Sequence, residues 1–331
     1  MQNKKVDAEV FTQRSVAAMA ALGIGDAAGD LGRDDDVRLR YGILVSLLPE
    51  GKSTDDTEFT VLSARCLLDT DGEITSQSVA QTWRELVLSD GGAKKRGGLP
   101  LYGALWNLSQ GIEPPLTGKD NAFNIDDGAA MRSVPFGIVA CGDPKEAARL
   151  AAIDASVSHD IDGIWSAQAI AASITVALTG GSVEEVYKAG MDQIPEDSWL
   201  GRRMRLTDEI LASDMSEMEK FEALHTKLWT PKHSSSPEAI PQVYALYKLS
   251  NGDFTKGFLL SANFGRDADT VCALTLALCA AGSDAGTIPQ AWIDQVRKPS
   301  GVCLSFAAQE DMVDLGQRLA ALGLKRAGQR A

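Results

Sequence analysis

Apolar residues recur three or four positions apart along most of the chain, which is the spacing of one face of an α-helix. Short segments with Gly or Pro separate these stretches, as at Gly142-Asp143-Pro144 and Gly180-Gly181. The run from Tyr41 to Leu48 is the one segment that could be a strand, and strands do not alternate with helices as in a Rossmann sheet. The pattern predicts an all-α fold with helices over 10–29, 54–69, 76–90, 99–110, 127–141, 144–158, 162–179, 183–193, 201–213, 216–228, 237–249, 253–263, 268–282 and 308–323.

Four segments between the predicted helices stand out as long loops: 30–40, 90–98, 113–128 and 230–237. Loops of this length in a helical domain often carry function. No long repeat and no low-complexity linker divides the sequence. We therefore predict a single compact domain over residues 1–331.

Composition narrows the class of protein. The 331 residues are 44% hydrophobic and 23% charged, and 32 Lys and Arg against 45 Asp and Glu give a net charge of −13. This balance argues against nucleic-acid binding, which depends on basic residues that neutralise phosphates. No window reaches the roughly 20 apolar residues that span a bilayer, and the polar N-terminus lacks the apolar segment of a signal peptide. Five cysteines without a CxxC spacing fit a reducing compartment, so we expect a cytoplasmic protein with no membrane partner.

Two acidic clusters carry the candidate chemistry. The first is Ser53-Thr54-Asp55-Asp56-Thr57, and the second is Asp267-Ala268-Asp269-Thr270. Each places two carboxylates and a hydroxyl where a polar loop enters a predicted helix. Four carboxylates brought together cannot all stay ionised without cations, and Mg²⁺ and Mn²⁺ prefer such oxygen ligands. If the fold joins the clusters, the sequence predicts a site for two cations.

Helix capping is the alternative explanation for each cluster. Ser, Thr and Asp are preferred at helix starts, where their oxygens accept from free backbone N–H groups and their charge suits the helix dipole. Ser53 with Asp56, or Thr54 with Glu58, could form such a cap. A cap needs one acceptor, however, and the two clusters share a pattern of two acids and a hydroxyl. That pattern favours a cation site.

Further motifs, in order along the chain, resemble the ADP-ribosylglycohydrolase family, also called the dinitrogenase-reductase-activating glycohydrolase family. The motifs are Gly25-Asp26-Ala27-Ala28-Gly29, Thr54-Asp55-Asp56-Thr57, Gly128-Ala129-Ala130-Met131-Arg132, Ser158-His159-Asp160, Asn251-Gly252-Asp253-Phe254, Gly265-Arg266-Asp267-Ala268-Asp269-Thr270 and Ile288-Pro289-Gln290-Ala291-Trp292. The resemblance covers most of the chain. It implies an orthogonal all-α bundle, a binuclear Mg²⁺ or Mn²⁺ site, and cleavage of a glycosidic bond at C1 of a ribose.

The resemblance also assigns residues to roles. It implies that Asp55 and Asp56 are catalytic, with one of them the base, and that the metal ligands are Thr54, Asp55, Asp56, Asp267, Asp269 and Thr270. It implies that the substrate contacts include Gly98, Gly128, Met131 and His159. A histidine between Ser158 and Asp160 could equally be a hydrogen-bonded structural residue. His225 and His233 match no motif and are expected at the surface or in loops, and Lys94-Lys95-Arg96 is expected to be solvated unless it meets a phosphate.

Four positions depart from the family pattern. Arg33 stands where many relatives have a glutamate at the metal site, and Asp30, Asp34, Asp35 or Asp36 could substitute only if the loop shifts. Asp127 replaces a frequent Asn, Leu101 replaces a threonine of the loop that begins at Gly98, and Arg266 replaces a glycine. We expect Asp127 and Arg266 to contact the substrate, although Arg266 could instead pair with a nearby acid.

The leading expectation is a glycohydrolase that releases ADP-ribose from a modified side chain such as arginine. Asp127, Leu101 and Arg266 favour a second possibility, an N-glycosidase of a small ribonucleoside-like compound. A third is a non-catalytic protein that binds ADP-ribose or blocks a transferase, but such a binder would be expected to lose the metal aspartates, and all are present.

Overall fold

The computed structural model describes residues 7–283 and 286–330, and in them we find α-helices and no β-strand. The polar residues 1–6, on which the absence of a signal peptide was predicted, lie outside the described ranges. Two short 3-10 turns, Leu88–Asp90 and Ser305–Gln309, accompany the α-helices. The α-helices are α1 (Ala8–Gly32), α2 (Asp35–Tyr41), α3 (Asp55–Asp69), α4 (Ser76–Leu86), α5 (Leu99–Ser109), α6 (Leu116–Lys119), α7 (Val134–Ala140), α8 (Pro144–Ala155), α9 (Ile161–Leu178), α10 (Val183–Met191), α11 (Trp199–Ala212), α12 (Glu217–Lys227), α13 (Ser236–Leu249), α14 (Phe254–Ser261), α15 (Ala268–Gly282), α16 (Gln290–Val296) and α17 (Met312–Arg330).

The all-α prediction is confirmed, and most predicted helices are present with ends that shift by a few residues. The predicted helix 127–141 is wrong in its first half, because only α7 is helical and residues 128–132 form turns. There the backbone N–H of Asp127 donates to the carbonyl of Ser234 at 2.8 Å, so it is held by a distant loop and not by a helix. Short helices α2, α6 and α16 were not predicted.

The possible strand from Tyr41 to Leu48 is also wrong. Tyr41 ends α2, and Gly42 follows with φ +69°, a left-handed conformation that reverses the chain. The side chain of Asn263 then binds both the N–H and the carbonyl of Leu44, at 2.8 and 2.9 Å. Side-chain amides therefore satisfy the backbone groups that a neighbouring strand would otherwise bind.

Helices α1 and α15 cross in close contact at the centre of the fold, because two glycines remove the side chains between them. A Cβ added to Gly25 would lie 2.5 Å from the Cα of Ala273, and one added to Gly29 would lie 1.9 Å from the carbonyl oxygen of Ala268. Both distances are too short for any other residue. The Gly25-to-Gly29 motif therefore sets where the N-terminus of α15 lies against α1.

Helix α9 is long and apolar enough to cross a membrane by composition, but 78% of its 18-residue span is buried within the protein. Its apolar residues pack in the same hydrophobic core as those of α7 and α15. Burial on all sides explains why it is apolar around its whole circumference. We interpret α9 as a core helix.

Candidate active site

Asp26, in the middle of α1, holds the first acidic cluster in place. Its buried carboxylate accepts hydrogen bonds from the backbone N–H and hydroxyl of Thr54, each at 2.7 Å, and from the N–H of Thr57 at 3.2 Å. The hydroxyl of Thr57 also donates to it. These bonds fix the first turn of α3 against α1, so the carboxylates of Asp55 and Asp56 project from a defined position.

The second cluster reaches the same place through the glycine crossing. Because Gly29 lets Ala268 approach α1 closely, the start of α15 lies beside the start of α3. Asp55, Asp56, Asp267 and Asp269 are all buried, and all four line one cavity. The fold therefore brings the two clusters together, which is the condition on which the predicted cation site depends.

Neither cluster caps its own helix. Thr54 and Asp267 occupy the N-cap positions of α3 and α15, and neither side chain accepts a capping hydrogen bond. Other helices of the chain are capped by side chains, such as α10 by Ser182 and α12 by Ser216. Glu58 instead accepts backbone N–H bonds from Val302, Cys303 and Leu304, and so anchors a distant loop. Capping does not account for the acids.

The cavity between the clusters has a volume of about 390 Å³. Its walls come from the starts of α3 and α15, the end of α1, and the loops before α5, α7 and α13. Most of the lining side chains are polar or charged, and Leu99, Leu101, Met131 and Pro231 contribute apolar surface. The lining residues are Arg33, Asp55, Asp56, Arg96, Gly97, Gly98, Leu99, Leu101, Asp126, Asp127, Gly128, Met131, Pro231, Lys232, His233, Ser234, Asp267, Asp269 and Thr270.

Burial and mutual repulsion make the acids of the cavity difficult to ionise. Desolvation first, and then the charge of Asp269, raise the pKa of both Asp55 and Asp56 well above the usual range. Desolvation and then Asp267 do the same to the pKa of Asp127. The pKa of Asp269 rises to about 7 through desolvation and Asp267, although Arg33 opposes the rise. Such a cluster either retains protons or binds a cation.

Arg33 lies directly against the second cluster. One guanidinium nitrogen lies 3.1 Å from Asp267 Oδ1 and 2.6 Å from Asp269 Oδ1, and the other donates to Asp269 Oδ2 and lies 3.2 Å from Asp30. Asp30 also accepts a hydrogen bond from Arg96, at the mouth of the cavity. Burial alone would lower the pKa of Arg33, but Asp269 and Asp267 raise it above its ordinary value. The departure at Arg33 therefore places a permanent cation where the resemblance implies a carboxylate.

The residues fit a divalent cation on one side of the cavity only. Oδ2 of Asp56 and Oδ2 of Asp127 are buried without a hydrogen-bond partner, as oxygens that await a ligand would be. Within residues 7–283 and 286–330, however, no three acidic, thiol or imidazole side chains already converge as a ligand set. The oxygens of Asp269 are both engaged by Arg33. The two Mg²⁺ or Mn²⁺ ions expected from the sequence therefore remain a prediction.

Most of the predicted substrate contacts line the cavity, but two do not. His159 is buried beneath Gly128, where a Cβ on that glycine would lie 3.4 Å from the imidazole. Desolvation, and then the charge of Arg132, lower the pKa of His159 well below its usual value, so the ring is neutral. The hydroxyl of Ser158 accepts from Arg132 at 2.9 Å and lies 2.7 Å from His159 Nδ1, whereas Nε2 of His159 is buried without a hydrogen-bond partner.

Arg266 points away from the cavity. Its guanidinium pairs with the fully buried Glu238, donates to the carbonyl of Thr230 at 2.6 Å and lies 5.3 Å from the Trp229 ring centroid. Its backbone has φ +61°, a conformation that favours glycine, and these contacts offset the strain. The geometry supports the alternative of a local charge partner and not the predicted substrate contact.

Several lining residues were not among the predicted site residues, and three of them are basic or imidazole side chains. His233, expected at the surface or in a loop, lies in the loop before α13 with Nε2 3.4 Å from Asp267 Oδ1, and Lys232 pairs with Asp126. Arg96, expected to be solvated, reaches Asp30. In the sequence, only the length of the loops pointed to these residues, because they belong to the long predicted loops 90–98 and 230–237.

Comparisons with known proteins show what the chain as a whole resembles. The sequence model of the ADP-ribosylglycohydrolase family matches residues 7–328. An uncharacterised protein of Archaeoglobus fulgidus is 27% identical over 288 residues, which is 83% of this chain and 89% of that protein. The uncharacterised protein YegU of Escherichia coli is 25% identical over 298 residues, 82% of this chain and 87% of that protein.

A solved structure also has a similar fold. It is described as an ADP-ribosylglycohydrolase-related protein complex, and it superposes with a TM-score of 0.64 at 20% identity. The match covers 95% of this chain and 99% of that chain. The predicted type of helical bundle is thereby confirmed.

Proposed function

Because the chain belongs to the ADP-ribosylglycohydrolase family and is therefore a glycosidase, we propose that it hydrolyses the bond at C1 of a ribosyl group with the help of a divalent cation. One observation carries the proposal: Asp55 and Asp56 face Asp267 and Asp269 across a single buried cavity, and neither pair caps its helix. We propose that the leaving group is a side chain such as arginine and that ADP-ribose is released.

The carboxylates suit the chemistry of this bond. When a glycosidic bond at C1 breaks, positive charge develops on the sugar, and fixed negative groups stabilise it most where water is excluded. A divalent cation bound at Asp55 and Asp56 would supply Lewis acidity and a lowered pKa for water. Asp55 already accepts from the N–H of Gly98 at 3.2 Å, whereas Oδ2 of Asp56 has no partner. Asp56 is therefore our choice for the group that takes the proton from the attacking water.

The mouth of the cavity supports an ADP-ribosyl substrate. Side chains of Arg96, Lys232 and His233 stand around it, with 38%, 31% and 53% of their area exposed. Arg96 and Lys232 are cations near the surface, and they could exchange their carboxylate partners for a diphosphate. The acidic interior below them suits a cationic leaving group such as a guanidinium.

A specific observation favours the second candidate, an N-glycosidase of a small ribonucleoside-like compound. Arg33, Arg96 and Lys232 line the cavity, and each is already paired with an aspartate. The volume of about 390 Å³ is also near the lower end of the range of roughly 300 to 1,000 Å³ for ligand sites. A small, uncharged ribosyl compound would need neither a free cation nor a larger space.

One experiment separates the two candidates. The purified protein, loaded with Mn²⁺ or Mg²⁺, is incubated with a protein that carries ADP-ribosylarginine and, in parallel, with a panel of ribonucleosides. Free ADP-ribose supports the first candidate, and free ribose with a base supports the second. Asp56→Asn should abolish either product, while Asp192→Asn, on the exposed face beyond α10, should retain it. Absence of all products from the wild-type protein would refute the proposed function.

A further inference from the structure

We infer that this cavity binds one divalent cation and that the guanidinium group of Arg33 takes the place of a second. The inference rests on the proposed function only in that both place a cation in this cavity. It concerns how the two acidic clusters are neutralised, and it replaces the prediction of two ions.

The two sides of the cavity differ in their counter-charges. On the α15 side, Arg33 forms a two-pronged interaction with both oxygens of Asp269 and reaches Oδ1 of Asp267 at 3.1 Å. This fork matches the geometry of a carboxylate and leaves few free lone pairs toward the cavity. His233 approaches the same oxygen of Asp267 from the loop opposite, at 3.4 Å.

On the other side, no cation is supplied by the chain. Among the described residues, no Lys, Arg or His lies within ion-pairing distance of Asp55 or Asp56. Asp55 and Asp56 are 8% and 2% exposed, and Oδ2 of Asp56 has no hydrogen-bond partner. Buried carboxylates without a partner are costly, so this is where an external cation would be stabilised most.

Several contacts hold the side chain of Arg33 in its position. Arg33 directly follows Gly32, the last residue of α1, and Gly29, one turn earlier, fixes that end against Ala268. Asp30 holds the second guanidinium nitrogen at 3.2 Å and also binds Arg96. An ion at Asp269 would have to displace a guanidinium that three carboxylates retain. An incoming divalent cation meets no such competition at Asp55 and Asp56.

Manganese binding tests the inference without substrate. Mn²⁺ bound per chain is measured by elemental analysis after equilibrium dialysis, and electron paramagnetic resonance shows whether bound ions are magnetically coupled. We expect one ion per wild-type chain, with the spectrum of isolated Mn²⁺. Arg33→Glu, which removes the guanidinium and adds a ligand, should bind two ions with a coupled spectrum. Arg318→Glu makes the same change of charge at the surface, where Arg318 forms an exposed pair with Asp314, and should still bind one.

Two further variants keep the test decisive if Arg33→Glu fails to fold by circular dichroism. Asp56→Asn should lose the single ion, whereas Asp269→Asn should retain it. Each of four results would overturn the inference: two ions or none in the wild-type chain, two in Arg318→Glu, one in a folded Arg33→Glu, or loss of the ion in Asp269→Asn. One ion without glycoside cleavage would refute the proposed function alone, and two ions with cleavage would refute this inference alone.

Discussion

The buried pair of Arg132 and Asp154 offers a sharp test of the structural reasoning. The two side chains are 0% and 1% exposed, and Arg132 Nε donates to Asp154 Oδ2 at 2.7 Å. The guanidinium also donates to the carbonyl of Gly128 at 2.7 Å and to Ser158 at 2.9 Å. Arg132 thus ties the wall of the cavity to the layer beneath it.

Asp154→Asn leaves the guanidinium buried without its counter-charge. Removing one partner of a buried pair costs about 3 to 5 kcal/mol, because the remaining charge keeps its desolvation penalty. Arg132→Met should cost a similar amount, since it strands the Asp154 carboxylate and frees the carbonyl of Gly128. In the double variant no charge remains unpaired. We therefore expect its cost to fall below the sum of the single costs by about 2 to 3 kcal/mol.

The assay is urea unfolding followed by circular dichroism. Free energies of unfolding are compared between variants whose slopes against urea concentration are equal. The matched control is Lys188→Met, which breaks an exposed pair with Asp192 whose side chains are 72% and 55% exposed. That change should cost less than about 0.5 kcal/mol. A cost of Asp154→Asn below about 1 kcal/mol, or additive costs in the double variant, would refute the assignment of a tightly coupled buried pair.

Three further outcomes are expected. Gly29→Ala should destabilise the fold by about 1 to 3 kcal/mol in urea unfolding, because its Cβ would meet the carbonyl of Ala268; Gly328→Ala, with open space around it, should not destabilise. The pKa of His159 is lowered, so the ring stays neutral in the folded protein. Below the unfolded pKa of about 6.5 only the unfolded chain gains this proton. The free energy of unfolding should therefore decrease as the pH is lowered, by up to about 1.4 kcal/mol per pH unit. His159→Gln should remove this increment between pH 6.5 and 5, and an unchanged slope would contradict it. Chelation should abolish turnover and lower the Tm of the metal-loaded protein while preserving helical circular dichroism, and Mn²⁺ should restore both except in Asp56→Asn.

Much of the fold follows from local signals in the sequence. Helical spacing located α1, α3, α9 and α15, because a buried helix must present apolar residues every three to four positions. It failed at 128–132, where the backbone forms turns and the N–H of the preceding Asp127 donates to the carbonyl of Ser234. It also failed over Tyr41 to Leu48, where Asn263 supplies the hydrogen bonds. Both failures arise from partners that are distant in sequence.

The same division holds for the candidate site. The sequence by itself determined that two acidic clusters begin two helices and that their order along the chain matches one family, since these are properties of residue type and spacing. Only the tertiary structure decided how the charges are neutralised. Arg33 meets Asp269 across 236 positions of the chain, Arg266 turns away to Glu238, and His233 enters the cavity from a loop. Ion pairs depend on distance and burial, and the fold alone sets both.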